Sequence, residues 1–183
     1  NGSASCTSGV CSIVCAAGFA NCDGSVGNGC ETATTSNPAA CGGCGQACSV
    51  QNGTPGCIGT QCVIAACTAP YADCNNLYSD GCGTDTSTSL TSCGACGNVC
   101  NGTNGTASCT SGTCGIACNV GYGNCDGSVT NGCESNLGTD TLHCGNCATA
   151  CAYANATAAC SAGSCQLVSC SAGYGNCDGA AAN

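Results

Sequence analysis

Large apolar side chains in this chain stand singly or in adjacent pairs, and no helical periodicity persists over a useful length. Ile13-Val14, Val63-Ile64, Ile116 and Leu167-Val168 occupy matching places in four copies of one pattern. Around them, stretches such as Ala4 to Cys15 (ASCTSGVCSIVC) and Ala107 to Cys118 (ASCTSGTCGIAC) set small residues on either side of a Ser-Gly pair. That arrangement predicts two brief strands joined by a Gly-containing turn, with the apolar pair on the second strand. An aromatic follows each time, at Phe19, Tyr71, Tyr122 and Tyr174, and is expected to lie against a disulfide as the module's one large packing group. Asn28-Gly29 and Asn131-Gly132 are the favoured pair for a tight turn with positive φ. Thirty glycines argue against long helices.

The cysteines set the frame for this pattern. From the cluster CGGCGQAC they fall at Cys41, Cys44, Cys48, Cys57, Cys62, Cys67, Cys74 and Cys82, which we number as phases one to eight. The next unit repeats them at Cys93, Cys96, Cys100, Cys109, Cys114, Cys118, Cys125 and Cys133, and a further one runs from Cys144 to Cys177. Cys6, Cys11, Cys15, Cys22 and Cys30 supply phases four to eight of an earlier unit. Only one interval varies, the three or four residues between phases five and six. The period of about 51 residues marks a tandem array of modules. We divide the chain into a partial repeat 1–40, full repeats 41–92 and 93–143, and a partial repeat 144–183. The sequence starts and stops inside a unit, so it is expected to be a window on a longer polymer or a processed chain.

Composition sharpens the reading. Twenty-eight cysteines in 183 residues make a disulfide scaffold the default, and paired cysteines imply a secretory or extracellular compartment. The sixteen cysteines of the two full units, Cys41 to Cys133, are all assigned to disulfides. Eight cysteines allow 105 pairings, and spacing does not choose among them. Framed from phase four, each block holds an even number, which favours phases four to seven pairing among themselves. In the unit from Cys93 to His143 the larger apolar groups are Val99, Ile116, Val120, Tyr122, Val129, Leu137 and Leu142. So small a core predicts that cross-links contribute about as much stability as apolar burial. The fold class expected is small disulfide-rich tandem repeats of short β-hairpins and turns, with little or no helix, in an elongated or beads-on-a-string array.

No Lys or Arg occurs and the formal charge is -9, which excludes a nucleic-acid binder because no basic footprint can be assembled. It also leaves trypsin no site to cut. No apolar run approaches the roughly 18 residues of a membrane-spanning helix, and no leader-like segment is present in the stretch given.

The string GYxNCDGxxxNGCE and the CxxGYxxC spacing carry a resemblance. The second resembles the end of an EGF-like module, and the whole array is similar to Cys-rich tandem repeats of secreted bacterial surface proteins. Eight cysteines per unit differ from EGF modules, so EGF connectivity is not carried over. The resemblance implies a secreted, repetitive surface protein.

Several motifs could carry chemistry. Asn1, Asn52, Asn104 and Asn155 open glycosylation sequons, each five residues before a phase-four cysteine, and Asn101 opens another. Each also makes a turn, and Pro55 weakens the site at Asn52. The connectors ETATTSNPAAC and TDTSTSLTSC are candidates for O-linked sugar. CGGC, CGAC and CGNC have the look of metal knuckles, yet all the cysteines follow the repeat, which favours disulfides over zinc or an iron–sulfur cluster. Asp23, Asn28 and Glu31, with Asp126, Asn131 and Glu134, offer oxygen ligands for calcium, although such residues also build turns without an ion and Gly83 replaces Glu in the middle copy. His143 reads as a surface loop residue. With one His and no Lys or Arg, no repeated acid–base or nucleophilic set exists, so no enzyme is expected. The expectation is a structural extracellular protein without a cofactor, glycosylated and self-associating into a fibre, sheath or stalk, with extracellular polysaccharide as a further candidate partner. A binding or adhesion ectodomain is the alternative, and metal-thiolate storage or electron transfer the third.

Overall fold

A computed structural model describes residues 1–176; Cys177 and the end of the last partial repeat lie outside the described residues. Contacts divide the chain into two compact units, Asn1–Thr86 and Ser87–Asn183. The division falls in the polar connector between phases eight and one.

Among the described residues every sheet is a two-stranded antiparallel hairpin. The first unit holds two long hairpins, β1 (Gly2–Thr7) with β2 (Val10–Cys15), and β5 (Gly53–Ile58) with β6 (Gln61–Cys67). Each is followed by a two-residue pair, β3 (Phe19–Ala20) with β4 (Thr32–Ala33), and β7 (Tyr71–Ala72) with β8 (Thr84–Asp85). The second unit repeats this with β9 (Gly105–Thr110) and β10 (Thr113–Cys118), then β11 (Tyr122–Gly123) and β12 (Ser135–Asn136), then β13 (Ala156–Ser161) and β14 (Ser164–Cys170). Among the described residues helix is confined to two single 3-10 turns, Pro38–Ala40 and Tyr78–Asp80. The chain is thus a tandem series of small disulfide-rich hairpins, as its apolar pairs and turn residues predict.

The turn chemistry explains the hairpins. Ser8-Gly9, Gly59-Thr60, Ser111-Gly112 and Ala162-Gly163 each have positive φ at both residues, the conformation whose twist matches that of the flanking strands. The varying interval between phases five and six has a structural counterpart. Where it is four, a register shift appears, between Thr54 and Pro55 and between Thr157 and Ala158. Where it is three, in β1–β2 and β9–β10, the register is unbroken. The extra residue is a β-bulge on the second strand, Ala65 in β6 and Val168 in β14, and in the first of these it lies opposite Pro55, which has no N–H to give a ladder.

Apart from Ala40, every buried apolar residue among those described is a cysteine. Cys30, Cys82, Cys93 and Cys133 are the largest fully buried side chains. The aromatic before phase seven is therefore not the packing centre: Phe19, Tyr71 and Tyr122 open the short strand pairs and stay half-exposed, and Tyr174 is 60% exposed. Modules this small cannot enclose a branched or aromatic side chain, and Val10, Val14 and Ile58 stand about 70% exposed. What they enclose is sulfur.

Candidate functional site

The repeated structural centre is a loop clamped onto a hairpin. The loop carries phases one to three, and we call it the knuckle. In the first unit its ends reach the two strands of β5–β6 through Cys41–Cys57 and Cys48–Cys62. Cys57 and Cys62 are directly opposite each other in the register, so one rung of the hairpin offers a sulfur to each end of the knuckle. The second unit does the same twice, with Cys93–Cys109 and Cys100–Cys114, then Cys144–Cys160 and Cys151–Cys165.

Backbone contacts seat the knuckle. The N–H of Cys41, Cys93 and Cys144 donates to Gln46, Asn98 and Thr149 across the loop, each at 2.8 Å. The N–H of Cys48, Cys100 and Cys151 donates to Pro38, Leu90 and Thr141, at 2.7, 2.8 and 2.7 Å. The residue after phase one is Gly42, Gly94 or Gly145, all at positive φ. A Cβ there would press on the hairpin-turn carbonyl of Thr60, Gly112 or Gly163. Glycine is required twice over, by conformation and by contact.

A disulfide between phases six and eight closes the next loop: Cys15–Cys30, Cys67–Cys82 and Cys118–Cys133. Phase seven reaches phase two of the following knuckle, through Cys22–Cys44 in the first unit and Cys125–Cys147 in the second. Cys74 and Cys96, which occupy the same two phases, are disulfide-bonded as well. This map corrects the expectation that phases four to seven pair among themselves. Phase four joins one, five joins three, six joins eight and seven joins two of the next repeat; Cys6–Cys11 joins four to five in the first partial repeat, whose phases one to three are not in the sequence given. An even count in a block constrains nothing when pairs cross the block boundary.

The knuckle spacing that resembles a metal site has a different origin. The sulfurs of Cys41, Cys48 and Cys62 lie within 4.8 Å of one another, as do those of Cys93, Cys100 and Cys114, and of Cys144, Cys151 and Cys165. In each triplet two sulfurs share one disulfide and the third belongs to its neighbour, so two disulfides meet side by side. These sulfurs are oxidised, and a disulfide offers no thiolate.

The sequon asparagines are structural clamps. Asn1, Asn52 and Asn104 donate Nδ2 to the carbonyl of Cys30, Cys82 and Cys133, at 3.2, 3.3 and 3.0 Å. Their own carbonyls accept the N–H of Ala16, Thr68 and Asn119 just beyond phase six, and Asn155 accepts that of Ser171 in the same way. Asn52, Asn104 and Asn155 sit near φ +53°, which Asn tolerates better than other non-glycine residues. Asn101 donates to Thr130 at 3.0 Å. The connectors are not wholly exposed either, since Thr34 and Ser92 are buried.

The oxygen-rich turn between phases seven and eight is held by its own side chains. Asp23 accepts the Ser25 N–H at 2.8 Å and the Asn28 amide at 2.7 Å; Asp126 accepts Ser128 and Asn131 at 2.8 Å each. Glu31 accepts the Cys22 N–H and Glu134 the Cys125 N–H, both at 2.8 Å. Hydrogen bonds to the charged form hold these carboxyls below the usual range: at Asp23 from Ser25 first and then Asn28, at Asp126 from Ser128 and then Asn131. At Glu31 and Glu134 the residue's own N–H contributes most, with those of Cys22 and Cys125 adding.

His143 is half-exposed and bonded, not a free surface ring. Its Nδ1 lies 2.8 Å from Asp140 Oδ2 and 3.3 Å from Ser135 Oγ. Both neighbours address the same nitrogen, whereas a hydrolytic relay needs serine and carboxylate on opposite nitrogens. The bond from His143 also holds the Asp140 carboxyl below its ordinary range. Reading forward, Asp140 and His143 three residues apart in a turn-rich connector were the available signal.

Fold and site together define a disulfide-stapled tandem-repeat protein. No protein-family model, curated protein or solved structure matches the chain. No helix among the described residues is long and apolar enough to cross a membrane.

Proposed function

We propose that this protein is an extracellular structural component, a disulfide-stapled array that forms a fibre, sheath or surface stalk. The observation that carries the proposal is the overlap of its cross-links. Between Cys15 and Cys62, the loops closed by Cys15–Cys30, Cys22–Cys44, Cys41–Cys57 and Cys48–Cys62 interlock, so no stretch of backbone there bears tension alone. A pull enters along Cys15 to Cys22, crosses to Cys44, runs to Cys48 and crosses to Cys62. The backbone on that path is about 11 residues, roughly 40 Å when extended, where the reduced chain would pay out about 47 residues or roughly 160 Å. Such a chain resists extension and proteolysis by covalent connection, and the missing Lys and Arg remove tryptic sites besides.

Surface sugar fits this reading. For Asn52 and Asn104 the Nδ2 atom that would carry a glycan is engaged with Cys82 or Cys133, so modification there belongs before closure of the phase-six to phase-eight loop.

Electron microscopy of native material, prepared without reductant and again after reduction, tests the function. Filaments or sheets that lose their integrity on reduction are expected. Dispersed particles in the unreduced sample would overturn the proposal.

A further inference from the structure

The disulfides of this fold differ in how far water reaches them. Phase one is buried at Cys41, Cys93 and Cys144, and phase eight is buried at Cys30, Cys82 and Cys133. Phase three is buried at Cys48 and Cys100 and half-exposed at Cys151. Phases seven and two are the opposite. In the two repeats whose eight cysteines are all present, Cys44 and Cys96 at phase two are exposed, and Cys74 and Cys125 at phase seven are half-exposed. These are the phases that link one repeat to the next, through Cys22–Cys44 and Cys125–Cys147.

The backbone beside the links leaves them open. A Cβ added at Gly24, Gly45, Gly97 or Gly127, each one or two residues from a linking cysteine, would have nothing within 4 Å. On its other side the Cys125–Cys147 bond rests on Gly123, where an added Cβ would stand 3.0 Å from both sulfurs. Charge separates the two ends of a link. Asp23 is next to Cys22, and Glu31 accepts the Cys22 N–H at 2.8 Å. Asp126 and Glu134 stand in the same way at Cys125. The knuckles that supply phase two, Cys41 to Cys48 and Cys144 to Cys151, hold no charged side chain.

We propose that the disulfides linking successive repeats are thiol-exchange sites for a small cationic thiol. The incoming thiolate attacks the phase-seven sulfur, Cys22 or Cys125, and bonds to it. The link breaks, and the phase-two cysteine leaves as a thiolate that takes a proton from water. One disulfide is consumed and one mixed disulfide is made, so nothing is needed beyond the thiol itself. Charge sets the direction: the two carboxylates hold the cation at phase seven, and a thiolate leaves more readily from an uncharged knuckle than from beside like charges. Reversal expels the reagent and restores the link.

Opening Cys22–Cys44 shifts tension to Cys15–Cys30 and Cys41–Cys57. The shortest backbone path from Cys15 to Cys62 then grows from about 11 to about 16 residues, roughly 17 Å of slack, while every hairpin keeps its knuckle. That consequence rests on the fibre reading, but the exchange does not. Exchange can occur in a protein that forms no filament, and filaments can form without it, so the two proposals fail separately.

The test uses the whole chain with its free thiols first blocked by iodoacetamide without reductant. Cysteamine is the cationic probe and 2-mercaptoethanesulfonate the anionic one, compared at equal thiolate concentration in low and high salt. Reactions are stopped with N-ethylmaleimide, acidified and mapped with pepsin, since trypsin has no site. Cysteamine is expected on Cys22 and Cys125, with maleimide on Cys44 and Cys147. These should appear about tenfold or more ahead of label at Cys41–Cys57, Cys67–Cys82, Cys93–Cys109 or Cys118–Cys133, whose buried sulfurs are reached only by local opening. The Cys6–Cys11 bond is not a comparator, because the cysteines that pair with phases four and five elsewhere fall before residue 1. In low salt cysteamine should outrun the anionic thiol about tenfold at both links, and high salt should shrink that ratio toward one. Glu31→Gln should lower the ratio at Cys22 and leave it unchanged at Cys125. No reaction at the links, buried bonds opening as fast, equal rates for the two thiols in low salt, or cysteamine carried by the phase-two cysteines would each overturn the proposal.

Discussion

The turn from Cys22 to Cys30 and the turn from Cys74 to Cys82 occupy the same place in successive repeats, and they are built from exchanged parts. In the first, Asp23 accepts a hydrogen bond from Asn28 at 2.7 Å. In the second the acid and amide trade places: Asn75 donates to Asp80 at 2.6 Å. The swap continues at the residue before phase seven, Asn21 in one and Asp73 in the other, and Glu31 gives way to Gly83. Each turn nonetheless carries two carboxylates. The second adds a 3-10 turn at Tyr78–Asp80, and the Tyr78 hydroxyl reaches back to the carbonyl and N–H of Ser49 at 3.0 Å. Both turns close with the same disulfide separation of 15 residues, a glycine at positive φ before phase eight, and the same Asn clamp. The lesson is a hierarchy in which sulfur and backbone geometry are held constant while polar side chains need only complete a local set of bonds.

The strongest way to break the comparison is to remove what the turns share. Replacing Cys15 and Cys30 by Ser, or Cys67 and Cys82, opens a loop of 15 residues in either case. The expected loss is about 3 kcal/mol locally, or roughly two decades of amide-exchange protection. The two losses should agree within about 1 kcal/mol. The amides to follow are Ala16, bonded to Asn1, and Thr68, bonded to Asn52. If the Cys15/Cys30 variant melts its turn while the Cys67/Cys82 variant leaves its own intact, the polar set carries structure in the second turn and the hierarchy is wrong.

Much of this fold was legible before any coordinates. Ser-Gly pairs between short apolar strands announce the hairpins, and strict cysteine spacing announces the repeat. The pairing was not legible, because cysteines close in sequence across a hairpin turn, such as Cys57 and Cys62, bond to a loop folded over them and not to each other, and phase seven bonds into the next repeat. Spacing along the chain does not contain that choice. The clamp role of the sequon asparagines was not legible either, because a turn residue at positive φ followed by Gly and then Ser or Thr has the same sequence whether or not its amide reaches a carbonyl some 30 residues away. The one varying interval, between phases five and six, carried no structural reading in the sequence and is the bulge.

A smaller effect should follow from the clamp, which both turns also share. Asn52→Ala in the second turn, and Asn104→Ala in the matching turn of the next repeat, remove one partly buried hydrogen bond and place a Cβ-bearing residue without a polar side chain near φ +53°. About 2 kcal/mol is expected, half from the bond and half from the backbone. Glycine at either position relieves the second half, so Asn52→Gly should cost about 1 kcal/mol. Exchange at Thr68 and Asn119 separates the two substitutions. Equal losses for Ala and Gly would show that backbone conformation is irrelevant there.

The smallest effect lies where the turns differ, and pH reaches it without mutation. Asp23 and Glu31 have folded-state pKa values below their ordinary ones, so their contribution is present above the usual carboxylate range and is lost as acid protonates them. Protection of the Cys22 amide, which Glu31 accepts at 2.8 Å, should therefore fall as the pH drops below the ordinary glutamate range, after correction for intrinsic exchange. The Cys125 amide should follow it through Glu134. Glu31→Gln should flatten the response at Cys22 and leave Cys125 unchanged. Gly83→Glu should not confer the same response on the middle turn, although space exists. A Cβ at Gly83 would stand 3.7 Å from the Asp80 carboxylate, so the new acid meets a like charge already committed to Asn75. A flat profile at Cys22 in the unaltered protein would mean that Glu31 adds nothing to the first turn, and that its replacement by Gly83 in the next repeat carries no energetic difference.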